Sequence, residues 1–107
     1  MKIFSRTVLF SACTLFASAA VHAQDCPADL PLVEEGKLTM SINATIPPTQ
    51  YIDEDGELVG LHREFGDLLA ERLCLEPVYA NVQFEVQIPG LQAKRWDMIN
   101  TGLFFTE

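Results

Sequence analysis

The spacing of apolar residues along the chain predicts alternating strands and helices. Residues 37–43 alternate apolar and polar positions, which is typical of a strand with one buried face. Pro47-Pro48 prevents that strand from continuing, because proline cannot donate to a strand ladder. The apolar pairs 51–52 and 58–59 flank an Asp-Glu-Asp-Gly turn and predict a hairpin.

The apolar period becomes helical at Leu61. Apolar residues from Leu61 to Leu75 recur at i, i+4, i+7, i+8 and i+12, which predicts an α-helix that ends before Pro77. A second strand is expected over 78–82, followed by a shorter helix from about residue 85 to 94 and a third strand over 96–100. This order predicts an α/β fold, a three-layer βαβαβ arrangement with a parallel sheet between helices.

The first 23 residues have the organisation of a secretory signal peptide. Two bases precede an apolar run over 8–20 that is shorter than the ~20 residues needed to span a bilayer. The small-residue pattern Val21-His22-Ala23 indicates cleavage after Ala23. A buried core helix and a lipoprotein modified at Cys13 are the alternatives, but the run lacks helix caps and is short before that cysteine. We therefore expect residues 1–23 to be removed on export.

The charge balance restricts the classes of partner. The chain is 49% apolar and carries 7 Lys/Arg against 15 Asp/Glu, a formal charge of −8. Because affinity for nucleic acid depends on basic patches, this balance argues against nucleic acid as a partner, and it argues against an anionic membrane surface as well. The length fits one small domain or part of one.

Two cysteines, Cys26 and Cys74, remain after the signal peptide. In an oxidising compartment such a pair predicts a structural disulfide, with two free thiols as the alternative. With His62 they provide too few ligands for zinc, so we expect no metal and no cofactor. The common nucleophile, phosphate-loop, zinc-protease and dinucleotide motifs are absent from the sequence. We therefore expect a protein that is not an enzyme.

The predicted strand ends carry the candidate ligand-binding residues. In open α/β sheets, ligands bind outside the carboxyl ends of the strands. Here those ends supply residues 43–46, 83–85 and 100–104, in which amides and hydroxyls stand beside aromatics. This composition favours a small polar molecule that is bound without being transformed. Ordinary loop polars and core aromatics are the alternative interpretation, and His62 is interpreted as a histidine at the solvent edge of the first helix.

Four segments together resemble the opening of the family 3 solute-binding proteins, the periplasmic receptors of polar amino-acid ABC importers. They are Pro47-Pro48, the run Asp55–Leu73, the run Ile88–Ile99 and the segment 101–107. The resemblance implies a type II periplasmic binding protein-like fold, in which residues 24–36 form a leader and 37–107 the first part of lobe one. In relatives, the matching cleft positions are those of Asn43, Ile46, Phe84, Thr101 and Gly102.

The chain also departs from the family pattern. The family usually has aromatics near Ile46 and Thr49, an aspartate where His62 stands and a small hydroxyl residue at Phe104. These departures leave room for a more apolar or atypical solute. Relatives also carry an arginine two positions beyond the residue that matches Glu107, and it pairs with the ligand carboxylate. We therefore expect these 107 residues to be the truncated front portion of a longer protein and not to bind an amino acid usefully alone.

The resemblance also implies partners and a location. We expect a periplasmic monomer that binds an amino acid-like solute and interacts with an ABC permease in the inner membrane, without nucleic acid. Two alternatives on the same fold stay open at this point. One is the N-terminal part of an exported dehydratase or peptidoglycan-cleaving enzyme, and the other is a sensor domain.

Overall fold

The computed structural model describes residues 25–102. The predicted signal peptide, its cleavage after Ala23 and the segment 103–107 lie outside the described residues. Among the helices of residues 25–102, none combines the length and the apolar character that crossing a membrane requires.

The described chain forms two small sheets and two helices. The elements are β1 (Lys37–Ile42), β2 (Thr45–Ile46), β3 (Gln50–Ile52), β4 (Leu58–Val59), α1 (Leu61–Arg72), β5 (Glu76–Asn81), α2 (Phe84–Gln92) and β6 (Met98–Ile99). The order predicted from the sequence is confirmed, with one addition. The predicted hairpin of β3 and β4 gains β2, so that β2-β3-β4 is an antiparallel sheet of its own, with the two prolines in the turn between β2 and β3.

The main sheet is parallel and has β1 at its centre. β5 pairs with β1 from Lys37 opposite Glu76 to Ile42 opposite Asn81, and β6 pairs on the other side of β1. The strand order in the sheet is β5-β1-β6. The connection that contains α1 leads to β5 on one side of β1, and the connection that contains α2 leads from β5 back across β1 to β6 on the other side. Because both crossovers are expected to be right-handed, the two helices cover opposite faces. The result is the predicted three-layer arrangement.

Helix α1 packs on the sheet through its small residues. Gly66 and Ala70 are buried, and a Cβ added at Gly66 would overlap the hydroxyl of Tyr79. The leucine stripe predicted from the sequence is only partly buried: Leu61 is 64% exposed and Phe65 52% exposed among the described residues. The close approach at Gly66 therefore determines which face of the helix points to the sheet. The spacing of large apolar residues in the sequence did not predict that face.

The end of α1 is fixed by a backbone motif and a disulfide. Cys74 adopts φ 57°, and the next residue, Leu75, donates its N–H to the carbonyl of Ala70 at 2.8 Å, as in a Schellman motif. The predicted disulfide is present: Cys74 is bonded to Cys26, with Cα atoms 5.6 Å apart. It ties the leader to the amino-terminal end of β5, and closing a loop of this length contributes about 4 kcal/mol in the chain-entropy model.

A carboxylate makes a second connection between the leader and the sheet. Asp97 precedes β6, and its Oδ1 accepts a hydrogen bond from the Val33 N–H at 2.7 Å. Its Oδ2 accepts from the Thr39 N–H at 2.8 Å. Both oxygens of the Asp97 carboxylate therefore accept from backbone N–H groups. Hydrogen bonds to a carboxylate are among the stronger hydrogen bonds in proteins.

The outer side of α1 is linked to β5 by a small polar cluster. Arg63 and Asp67 form an i,i+4 ion pair, with Nε and Oδ2 2.8 Å apart. The Tyr79 hydroxyl lies 2.9 Å from both Asp67 Oδ1 and the Arg63 carbonyl oxygen. Burial first, and then the hydrogen bond to Asp67, raise the pKa of Tyr79 well above its ordinary value.

Candidate ligand-binding site

The carboxyl ends of the three parallel strands are joined by hydrogen bonds. After β1, the N–H of Asn43 donates to Thr101 Oγ1, which follows β6, at 3.0 Å. Asn43 Nδ2 donates to the carbonyl of Val82, which follows β5, at 3.2 Å. The neighbouring Ala44 N–H donates to Asn81 Oδ1 at 3.1 Å. One asparagine therefore holds the ends of β1, β5 and β6 together.

Asn43 itself is nearly inaccessible and largely committed to this connection. It is 8% exposed, and its Oδ1 accepts a hydrogen bond from the Thr45 hydroxyl. Its Nδ2 donates to Val82. The Asn43 side chain therefore mainly connects the strand ends to one another, and little of it is exposed at this edge of the sheet.

Gln50 is a member of the site that the sequence analysis missed. It is fully buried at the start of β3, and its Nε2 donates to the Asn43 carbonyl at 2.6 Å and to Thr101 Oγ1 at 2.8 Å. Its Oε1 accepts no hydrogen bond from a described residue. The one available sequence signal was a polar residue placed at the inner position of a short strand directly after the two prolines.

Asn100 and His62 form a second connection beside Thr101. Asn100 is 3% exposed; its Nδ2 donates to the His62 carbonyl at 2.7 Å, and its Oδ1 lies 3.0 Å from His62 Nδ1. Because a carbonyl oxygen can only accept, the amide orientation is fixed and Nδ1 must carry a hydrogen. His62 is partly buried, and this contact links it to the end of β6.

The remaining predicted residues are neighbours of this network along the chain. Ile46 lies in β2, next to Thr45, and is 44% exposed; Phe84 is the first residue of α2 and is 45% exposed. Gly102 follows Thr101, and a Cβ added there would meet no heavy atom within 4 Å. The structure thus places all five predicted residues in the segments that follow β1, β5 and β6.

A cavity adjoins the network on the side of α1. It has a volume of about 430 Å³ and is lined by Leu61, His62, Phe65, Met98, Ile99, Asn100 and Thr101. Of the predicted site residues, Thr101 alone borders it. Its wall is mostly apolar, and the polar atoms on it come from the groups that connect α1 to the end of β6.

The strand ends offer neutral hydrogen-bonding groups. In the described segments 43–46, 83–85 and 100–102 the only titratable side chain is Glu85. Within residues 25–102, no group of three His, Cys, Asp or Glu side chains is placed to hold a metal ion. Amides and a hydroxyl beside apolar side chains can bind and orient a small polar molecule, whereas proton transfer needs a positioned acid or base.

A family model matches residues 38–107, which is more than half of the chain. The model describes bacterial extracellular solute-binding proteins, family 3. The chain belongs to this family. The resemblance seen in the sequence motifs is thereby confirmed.

Two curated relatives come from Escherichia coli strain K12. The ABC transporter arginine-binding protein 1 is 27% identical over 70 residues, which is 65% of this chain and 29% of that protein. The L-cystine-binding protein TcyJ is 30% identical over 66 residues, which is 62% of this chain and 25% of that protein. The chain therefore spans less than a third of the length of either relative.

A similar solved structure agrees with the fold. The arginine-bound form of domain 1 from TmArgBP, the ArgBP of T. maritima, superposes with a TM-score of 0.64 and 33% identity. The superposition covers 67% of this chain and 57% of that domain. The predicted α/β lobe of the type II periplasmic binding protein fold is confirmed, and the chain covers part of it.

Proposed function

We propose that this chain provides part of the first lobe of an extracytoplasmic receptor for an amino acid or a similar small polar solute. The receptor would deliver its solute to an ABC permease in the inner membrane. The single observation that carries the proposal is the pair of hydrogen bonds from Asn43 to Thr101 and to Val82, which draws three strand ends together. Family membership supports it, because the curated relatives bind arginine and cystine.

The chemistry of the strand ends supports binding without reaction. Thr101 and Asn43 supply hydrogen-bonding atoms, while Phe84 and Ile46 supply half-exposed apolar surface. An enzyme acting on the same solute would need a positioned acid or base in this region. The described strand ends carry Glu85, and the Nδ1 of the neighbouring His62 is bonded to Asn100. We therefore propose a binding protein and not an enzyme, and no observation favours the dehydratase or sensor alternatives.

The predicted export signal supports a location outside the cytoplasm. We propose that residues 1–23 direct export, that cleavage follows Ala23, and that the mature receptor is a periplasmic monomer. The disulfide between Cys26 and Cys74 supports an oxidising compartment. N-terminal sequencing of the exported protein should begin at Gln24, and retention of Met1 would contradict the proposal.

A ligand screen on the full chain that the gene encodes tests the function. We expect one amino acid or close relative to raise the melting temperature, because a ligand at 100 times its Kd stabilises by about 2.7 kcal/mol. Phe84→Ala should weaken that ligand in calorimetry, because Phe84 borders the strand ends. Leu68→Ala is the control, since Leu68 is a similarly exposed apolar residue on α1 that does not line the cavity beside the strand ends. Absence of a shift with every amino acid would contradict the proposal.

The 107 residues alone form a separate case. The described strand ends carry no Lys or Arg to pair with a carboxylate, so we propose that this stretch by itself has no useful affinity. In the relative TmArgBP, a single domain was crystallised with arginine, and this chain covers 57% of that domain. Calorimetry of residues 24–107 should show no binding at micromolar concentrations, and a micromolar Kd for any amino acid would overturn this part.

A further inference from the structure

The Thr101 hydroxyl is surrounded by donors. The N–H of Asn43 lies 3.0 Å from Thr101 Oγ1, and Gln50 Nε2 lies 2.8 Å from the same atom. A backbone N–H can only donate, so one lone pair of the hydroxyl oxygen is used by Asn43.

The orientation of the Gln50 amide is fixed by its other contact. The amide nitrogen lies 2.6 Å from the carbonyl oxygen of Asn43, which can only accept. Reversing the amide would place two acceptors against each other in a fully buried position. Gln50 therefore donates to Thr101 as well, and the second lone pair of the hydroxyl is also used.

A hydroxyl oxygen with both lone pairs occupied can act only as a donor. Thr101 Oγ1 donates to no described residue, so its hydrogen remains available beside the strand ends. We propose that Gln50 is a positioning residue that makes Thr101 an obligatory donor, so that this subsite takes an acceptor group of the solute, a carboxylate or carbonyl oxygen. This deepens the proposed function and rests on it. A solute ammonium would have no free lone pair to bind at Thr101.

The state of the other Gln50 atom is consistent with this role. Gln50 Oε1 is fully buried and accepts no hydrogen bond from a described residue. A buried acceptor without a partner destabilises the folded protein, whereas an apolar side chain of similar size would not. Gln50 therefore carries one buried acceptor without a partner, Oε1, while its Nε2 donates to the Asn43 carbonyl and to the Thr101 hydroxyl.

Substitution by a carboxylate reverses the direction of the hydrogen bond. In Gln50→Glu, an ionised side chain accepts from Thr101, which turns the hydroxyl away from the solute. We expect the affinity of the full chain for its solute to fall about tenfold or more at pH 8. Gln50→Met removes the donors without adding an acceptor for the hydroxyl, so the expected loss is smaller, about threefold. Calorimetry gives both values.

A pH readout separates positioning from loss of packing. On acidification to pH 5, the introduced carboxyl, whose pKa burial raises, gains one hydrogen that the Asn43 carbonyl and the Thr101 hydroxyl share, so the Gln50→Glu variant should regain part of its affinity. Wild type and Gln50→Met should show no such recovery. Gln87→Glu is the matched control, because Gln87 is an equally buried glutamine in α2 that makes no side-chain bond to a described residue.

The outcomes are distinguishable. Equal losses for Gln50→Glu and Gln50→Met, without recovery at pH 5, would overturn the proposal while leaving the receptor function intact. If the wild type binds no amino acid, the receptor function fails, and the positioning role fails with it because it rests on that function. If the wild type binds a solute, the Gln50 variants alone decide the positioning role.

Discussion

The two ends of the parallel sheet are held by different kinds of interaction. At the amino-terminal end, the Cys26–Cys74 disulfide and the two hydrogen bonds accepted by Asp97 connect the leader to the strands. At the carboxyl-terminal end the connections are neutral hydrogen bonds centred on Asn43, and Ser41 Oγ has no partner among the described residues. The first end is held by a covalent bond and by hydrogen bonds to a carboxylate, and the second is held by neutral hydrogen bonds, at the place where we propose that the solute binds.

Removing the disulfide should have the largest effect on stability. The double variant Cys26→Ser/Cys74→Ser should lose about 4 kcal/mol of unfolding free energy, because the unfolded chain regains loop entropy. Chemical denaturation measures the loss. If the two ends are separate in function, the affinity of the folded variant for its solute should equal that of the wild type. If the affinity of the folded variant falls as well, the two ends of the sheet are not separate in function.

Asp97→Asn should be the next largest change. One oxygen becomes an NH2 group facing a backbone donor, so the loss should be about 1–3 kcal/mol. Glu54→Gln is the control, since Glu54 is exposed in the β3–β4 turn and the same chemical change there should stay within about 0.5 kcal/mol. Equal effects at the two positions would show that the Asp97 contacts do not stabilise the leader.

The left-handed backbone at Cys74 predicts a smaller difference. Cys74→Gly and Cys74→Ser both remove the disulfide, but glycine adopts the observed φ of 57° without strain. The glycine variant should therefore be more stable than the serine variant by about 1 kcal/mol. Parallel urea denaturations under the same conditions compare the two, and a more stable serine variant would contradict the Schellman geometry.

Ser41→Ala should have the smallest effect, and its sign should be opposite. Ser41 is fully buried and its hydroxyl has no described partner, so alanine removes an unpaired polar atom. The unfolding free energy should stay constant or rise by up to about 1 kcal/mol. A fall in the unfolding free energy of more than about 1 kcal/mol would mean that the Ser41 hydroxyl is hydrogen-bonded. That result would remove one difference between the two ends of the sheet.

The alternation and helical periods predicted most of the fold. The strand expected over 37–43 is β1, Lys37–Ile42, and the helix expected from Leu61 is α1. β2 was missed, because a strand of two residues has no measurable alternation. The rotation of α1 was missed as well, because the packing of Gly66 against Tyr79 depends on where β5 lies and not on the helix sequence.

The candidate site was predictable to the same extent. Asn43 and Thr101 were predicted to lie together because the carboxyl ends of parallel strands converge at one edge of a sheet. In the structure the Asn43 N–H donates a hydrogen bond to Thr101 Oγ1. Gln50 was missed because its contacts depend on how the second sheet folds against the first. Assignment of these residues to solute binding stays a prediction.

An NMR titration tests the central claim most directly. The full chain that the gene encodes is labelled with 15N and titrated with the amino acid found by the screen. We predict that the largest amide shifts within 25–102 fall in segments 43–46, 83–85 and 100–102, while residues near Cys26 and Asp97 stay unchanged. Largest shifts near the disulfide, or shifts in only one of the three segments, would contradict a site formed where the three strand ends meet.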